Sequence, residues 1–178
     1  MRLENTPVLE TPRLILRRFA ERDIEDIFRI YSDREVNRFL PWFPLRSLDE
    51  AREFLFGEIF CEYAKESAYR YAIEFRSDRR MVGYVSLCAV DLRSRCGDLG
   101  YGLCREYWGR GVMTEAGRAV LQRLRESGFD HVTATHDVRN PASGRVMQKL
   151  GMTYRYSYKE RWMPKDEMVI FRLYQIDL

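Results

Sequence analysis

Histidine and cysteine are scarce in this chain, and neither falls into a metal-binding pattern. The 178 residues include two histidines, His131 and His136, and four cysteines, Cys61, Cys88, Cys96 and Cys104. No C-x-x-C pair occurs, so the spacing of a structural zinc site is missing and no metal is expected. Cys88, Cys96 and Cys104 fall in strand-like runs and read as small core or sheet-face residues. No run approaches the ~20 apolar residues of a membrane span. The opening MRLENTPVLE has no apolar signal core, so a cytoplasmic, reducing home is expected. An excess of one charge sign is missing too. Lys and Arg number 30, Asp and Glu 27, for a net +3. That balance argues against nucleic acid or a membrane surface as partner. The nearest thing to a basic run, Arg76, Arg79 and Arg80, sits in a hairpin-like turn.

Apolar residues make up 46% of the chain and aromatics 13%. This suffices for the core of one domain spanning residues 1–178. Leu14-Ile15-Leu16 reads as a first strand, possible at a sheet edge. Ile24, Ile27, Phe28 and Tyr31 recur at helical spacing. Residues 37–48 form an aromatic, proline-containing loop. Ser47 with Glu50 makes an S-x-x-E capping box for a helix carrying Ala51, Phe54, Leu55, Ile59 and Phe60 inward. Strands follow at 69–75, 81–90 and 96–103, the last broken by Gly97, Gly100 and Gly102. A helix ending near Gly128, a strand at 131–136, and a helix capped by Asn140 with Pro141 come next. A hairpin around residues 163–166 closes the chain. The pattern predicts a mixed α/β (α+β) domain, antiparallel in its front half with one parallel-capable crossover.

The most specific stretch is Trp108-Gly109-Arg110-Gly111-Val112-Met113-Thr114, between a strand and a helix. A helix start leaves backbone N–H groups without partners at the positive end of its dipole. Two glycines allow a sharp turn and close approach, and Arg110 adds charge. The product is an anion cradle suited to a phosphate or pyrophosphate.

Four segments together resemble the GNAT superfamily of N-acetyltransferases, most closely its RimJ/RimL-type, ribosomal-protein-alanine acetyltransferase-like branch. They are Thr11-Pro12-Arg13-Leu14, Asp98-Leu99-Gly100-Tyr101, Tyr107 to Ala116, and Asn140-Pro141-Ala142-Ser143 through Lys149-Leu150-Gly151-Met152. They span nearly the whole chain in a consistent order. The superfamily's Q/R-x-x-G-x-G/A motif falls on Trp108 to Met113. Trp108 and Met113 replace its polar first and small last residues, which leaves one matching glycine, Gly111.

The resemblance implies a mostly antiparallel sheet of about six or seven strands, flanked by about four helices and splayed at a cofactor cleft. It implies acetyl-coenzyme A as co-substrate, its pyrophosphate on Trp108, Gly109, Arg110, Gly111, Val112, Met113 and Thr114. The pantetheine would pair with the backbone of Tyr101, Gly102 and Leu103, which gives that strand's glycines a purpose, and meet Asn140 and Ser143. The acceptor is a primary amine. A protein N-terminal α-amine follows the branch name; a polyamine, amino acid or antibiotic is the alternative. A non-catalytic acyl-coenzyme A sensor is a reading of another class, and the chain is a monomer or homodimer.

Acetyl transfer needs a base for the amine and a donor for the leaving thiolate. Asp98 stands where some family members carry a glutamate base; the bland reading is a solvated or substrate-orienting carboxylate. His136 ends a strand near the cleft, and imidazole is a common base; it also reads as a polar strand-end residue. Ser143 either donates towards the sulfur or bonds its own helix. The family's usual tyrosine acid falls on Met147, so it is missing here. Phe39, Trp42 and Phe43 either line the acceptor pocket or pack on the core.

Overall fold

The computed structural model describes residues 6–65 and 67–178. Residues 1–5 of the signal-free N-terminal reading therefore lie outside the described residues. The strands are β1 (Leu9–Glu10), β2 (Leu14–Arg17), β3 (Tyr69–Phe75), β4 (Arg80–Asp91), β5 (Cys96–Leu103), β6 (His131–Asp137), β7 (Thr153–Trp162) and β8 (Glu167–Asp177). They form one eight-stranded sheet in the order β1-β2-β3-β4-β5-β6-β8-β7. Every neighbouring pair is antiparallel except β5 with β6. The eighth strand is β1, two residues long, too short to show the alternation that marks a strand. It covers β2, which is thus not an edge.

The helices are α1 (Ile24–Ser32), α2 (Leu48–Phe54), α3 (Phe60–Glu62), α4 (Val112–Glu126) and α5 (Pro141–Lys149). One π turn, Leu55–Ile59, joins α2 to α3, so four helical bodies flank the sheet. An α-helix drifts roughly 40° over each four-residue step. The wider π turn offsets that drift and keeps Ala51, Leu55 and Ile59 together in the core. Only half of the expected capping box forms. The Ser47 hydroxyl accepts the Glu50 N–H (3.2 Å), but the Glu50 carboxylate accepts from Arg46 N–H (2.7 Å) instead of reaching Ser47.

The helices divide between the two faces of the sheet. Tyr31 of α1 stacks on Tyr84 of β4 at 5.1 Å. On the opposite face Phe129, just past α4, meets Tyr69 edge-on at 5.3 Å. Tyr69 pairs with Leu87, three residues from Tyr84 on the same strand and so on the other side of the pleat. α4 and α5 share this second face, where Leu150 packs on Gly117. No helix among the described residues is long and apolar enough to cross a membrane.

Candidate active site

β5 and β6 pair only where Cys96, Gly97 and Asp98 meet His131, Val132 and Thr133. Beyond that point they part. Each keeps its outer neighbour, β5 to Leu103 and β6 to Asp137. Register fixes which backbone groups line the gap. Cys104 N–H donates to Val82 O (2.8 Å), and bonded pairs recur every second residue in an antiparallel ladder. Gly100 and Gly102 therefore turn their polar groups to β4, while Tyr101 and Leu103 turn theirs into the gap. On β6, Val138 N–H donates to Ile170 O (2.9 Å). By the same alternation Thr135 and Asp137 form the facing lip.

The expected backbone set Tyr101, Gly102 and Leu103 thus divides by direction. Tyr101 and Leu103 face the gap, but Gly102 spends its N–H and C=O on β4. Its missing side chain serves packing: a Cβ there would lie 2.5 Å from the Tyr84 ring. Gly97 likewise makes room for Leu87, at 2.6 Å. Trp108 Nε1 donates to Leu103 O (2.8 Å), so one expected acceptor is already engaged.

On the α4–α5 face, Gly109 and Gly111 adopt φ of 73° and 75°, a region that side chains resist. Gly111 is the N-cap of α4, and no side chain caps the helix. The first-turn N–H groups are left for an anion. Met113 is buried, so its bulk packs inward and leaves those groups clear. Trp108 is half exposed, and the Arg110 guanidinium lies 5.6 Å over the Tyr107 ring.

A second cation stands here that sequence reasoning gave no role. Arg13 Nε donates to Glu115 Oε2 (2.7 Å) and Nη1 to Arg110 O (2.9 Å). Its own N–H reaches Glu115 Oε1 (3.0 Å), joined there by the Thr11 hydroxyl (2.6 Å). Burial pushes the Glu115 carboxyl up, but the hydrogen bonds from Thr11 and Arg13 outweigh it and hold its pKa below the usual value. The resembling segments at Thr11–Leu14 and Glu115 thus form one clamp on the start of α4. An open groove of about 720 Å³ passes Arg13, Gly111, Thr114, Arg118 and Lys149.

Asn140 Oδ1 accepts from Ser143 N–H (3.3 Å), capping α5 as expected. The Tyr101 hydroxyl crosses from β5 to Ser143 in that first turn. Met147 is buried in the core. His136 does not stand open to the gap. Its Nδ1 is 2.8 Å from Asp137 O, and Nε2 is buried against Gly144, where an added Cβ would sit 2.7 Å away. Helix α5 covers the imidazole, and the ring expected as a base is buried and packed.

The α1–α2 face carries Asp98, opposite Cys88 across the β4–β5 ladder. The Thr133 hydroxyl donates to Asp98 Oδ1 (2.8 Å); among the described residues no cation pairs with this carboxylate. Burial raises its pKa above the usual carboxylate value, and the Thr133 hydrogen bond opposes this in part. Tyr158 of β7 is close: burial, then the charges of Glu160 and Asp98, raise its phenol. Trp42 lies 6.0 Å from Tyr31 and donates from Nε1 to Asn37 Oδ1 (2.9 Å). Phe39 lies under the guanidiniums of Arg38 and Arg139. Phe43 is exposed. Lys165 Nζ donates to Asn37 O (3.0 Å), holding the α1–α2 loop to the β7–β8 turn.

A family model for the acetyltransferase (GNAT) domain matches residues 13–153. The chain belongs to the GNAT acetyltransferase family. It is 29% identical over 147 residues to the protein called uncharacterized N-acetyltransferase YoaA of Bacillus subtilis, covering 82% of each chain. Among solved structures it is similar to RimL, the ribosomal L7/L12 α-N-protein acetyltransferase, in complex with coenzyme A. The TM-score is 0.85 at 20% identity, over 97% of this chain and 98% of that one. Spermidine N-acetyltransferase of Vibrio cholerae, with coenzyme A and spermine, gives 0.79 at 17%, over 94% and 96%. At these identities the structural likenesses show a shared fold. The GNAT acetyltransferase is thus an acyltransferase with the splayed sheet of its family.

Proposed function

We propose that this N-acetyltransferase domain binds acetyl-coenzyme A from the α4–α5 face and a primary amine from the α1–α2 face. The two meet in the gap between β5 and β6. The observation that carries the reading is that gap: Tyr101 and Leu103 turn their N–H groups into it, its Leu103 end leads to the α4 cradle, and Asp98 stands on the other face. In this reading the N–H groups around Gly109 to Thr114, with Arg110 and Arg13 beside them, hold the pyrophosphate. Tyr101 and Leu103 pair with the pantetheine, and Asn140 and Ser143 bound it from α5. A gap-facing N–H polarises the thioester carbonyl. Asp98 takes the proton of the attacking amine; its raised pKa and its lack of a cation partner among the described residues suit a base. Holding both reactants in one gap supplies much of the rate, roughly 7–11 kcal/mol for well-oriented pairs.

Phe39, Trp42 and Phe43 form the acceptor wall. The acceptor is a protein N-terminal α-amine, which follows from the sequence resemblance to the ribosomal-protein branch. Release of free thiol from acetyl-coenzyme A tests this, with peptides of free N-terminus set against spermidine, free amino acids and aminoglycosides. Turnover with the peptides alone supports the assignment. Turnover confined to the small amines moves the enzyme to the small-molecule class. Tight binding of acetyl-coenzyme A without turnover on any amine would contradict the catalytic reading.

A further inference from the structure

Strand alternation sends Tyr101 and Asp98 to opposite faces of the sheet. Tyr101 leaves β5 on the face of α5, where its hydroxyl lies 3.0 Å from Ser143 O and 2.9 Å from Ser143 Oγ. The ring therefore bridges one lip of the gap and the first turn of α5. Both groups there carry O–H bonds. Met147, one turn further along α5, is buried and brings only a thioether.

On the reading that the gap holds acetyl-coenzyme A, we infer that the Tyr101 hydroxyl, backed by Ser143, stabilises the departing thiolate. The amine nitrogen forms its bond to the carbonyl carbon and the carbon–sulfur bond breaks. The electron pair stays on sulfur, and the proton of the amine goes to Asp98 on the other face. Negative charge thus develops on the side where Tyr101 stands. The Tyr101 O–H turns from the Ser143 carbonyl to the sulfur. The Ser143 O–H donates to Tyr101 Oη and polarises it, as linked hydrogen bonds do.

Burial pushes the Tyr101 phenol up to about 12, against the opposing hydrogen bond from Ser143. A thiol ordinarily ionises near ~8.5. Full proton transfer from this phenol to the thiolate would run uphill by several pH units. Tyr101 therefore acts by donating a hydrogen bond to developing charge, and sulfur takes its proton later from solvent. This differs from an acid that surrenders its proton, and the difference can be measured.

The test follows the ultraviolet absorption of the thiolate in bound coenzyme A across pH, in the wild type, Tyr101→Phe and Ser143→Ala. Stabilisation of the thiolate lowers the bound thiol's pKa by about one unit in the wild type. Tyr101→Phe returns it to the ordinary value, and Ser143→Ala gives a smaller rise. In turnover, Tyr101→Phe lowers kcat about 100-fold, the usual cost of one such donor, with KM for acetyl-coenzyme A little changed. An unshifted bound thiol, or a loss confined to KM, overturns the inference and leaves Tyr101 a packing or pantetheine contact. If circular dichroism shows Tyr101→Phe unfolded, Ser143→Ala carries the comparison, and an unchanged thiol pKa there overturns it. Absence of any coenzyme A binding by calorimetry would instead sink the acetyl-coenzyme A reading, and this inference with it.

Discussion

The α4–α5 face of the gap offers backbone N–H groups, two hydroxyls, the Arg110 guanidinium and an Arg13 guanidinium held in a half-exposed clamp. The α1–α2 face offers Asp98, a carboxylate held by the Thr133 hydroxyl and without a cation partner among the described residues. The first is preorganised for an anion and needs few specific side chains, because Gly111 and the start of α4 supply the donors. The second depends on side-chain identity, Asp98 above all. One strand serves both faces, since alternate residues of β5 point to opposite sides. On the proposed reading, donor recognition is written in backbone conformation and acceptor chemistry in side chains.

That division predicts which substitutions harm which substrate. Gly111→Glu brings a carboxylate into the cradle and should weaken acetyl-coenzyme A binding at least about 100-fold, or about 3 kcal/mol, as read by calorimetry. Gly111→Ala shares the backbone strain at φ 75° without the charge, and its Cβ would sit 3.7 Å from Arg13 Nη2. It should bind far better than the glutamate variant. Equal losses in the two would attribute the effect to strain and break the cradle argument.

Asp98→Asn should lower kcat by about 100-fold, at the lower end for a general base, with acetyl-coenzyme A affinity intact. Because burial raises the Asp98 pKa, wild-type kcat/KM should climb with pH through a limb above the usual carboxylate value. That limb should vanish in the variant. A limb that persists in Asp98→Asn would place the base elsewhere.

Effects on the acceptor wall should be smaller. Trp42→Ala removes a ring from beside Tyr31, and should raise KM for the amine several-fold, about 1 kcal/mol. KM for acetyl-coenzyme A should not move. A matched change in both would mean that Trp42 supports the fold and not a pocket.

The smallest effect belongs to the clamp. Glu115 has a depressed folded pKa, so its contribution to stability is present above the unfolded value and is lost as pH falls through the folded one. Arg13→Ala should cost about 0.5 kcal/mol at neutral pH, the range of a half-exposed pair, and flatten the loss of stability on acidification. An unchanged acid dependence in thermal melts would show that Arg13 does not hold Glu115 ionised.

The turn into α4 was legible because glycines at a strand-to-helix junction have a local cause, the positive φ that Gly109 and Gly111 adopt. The strands from β2 onward were legible as apolar or β-branched runs bounded by turn residues, whereas β1 is only two residues long. The clamp was not legible as a contact: Arg13 and Glu115 lie 102 residues apart, and only their opposite charges hint at pairing. The direction of the Gly102 backbone was not legible because a sequence gives no hydrogen-bond phase; only the register shows that it faces β4. His136 looked free at a strand end because nothing local reveals that Gly144 lets α5 close over it. The Tyr101 side chain could have been placed, since period-two alternation already separates it from Asp98. Its partner on α5, 42 residues on, could not.

The central claim is that the β5–β6 gap receives the pantetheine along its odd-numbered β5 amides. Residue-resolved amide hydrogen exchange, with and without acetyl-coenzyme A, tests it most directly. The account predicts that Tyr101 and Leu103 exchange fast in the free protein and slow markedly at saturation. Gly100 and Gly102, already bonded to β4, should be slow in both states. Unchanged exchange at Tyr101 and Leu103 under saturating acetyl-coenzyme A would contradict it.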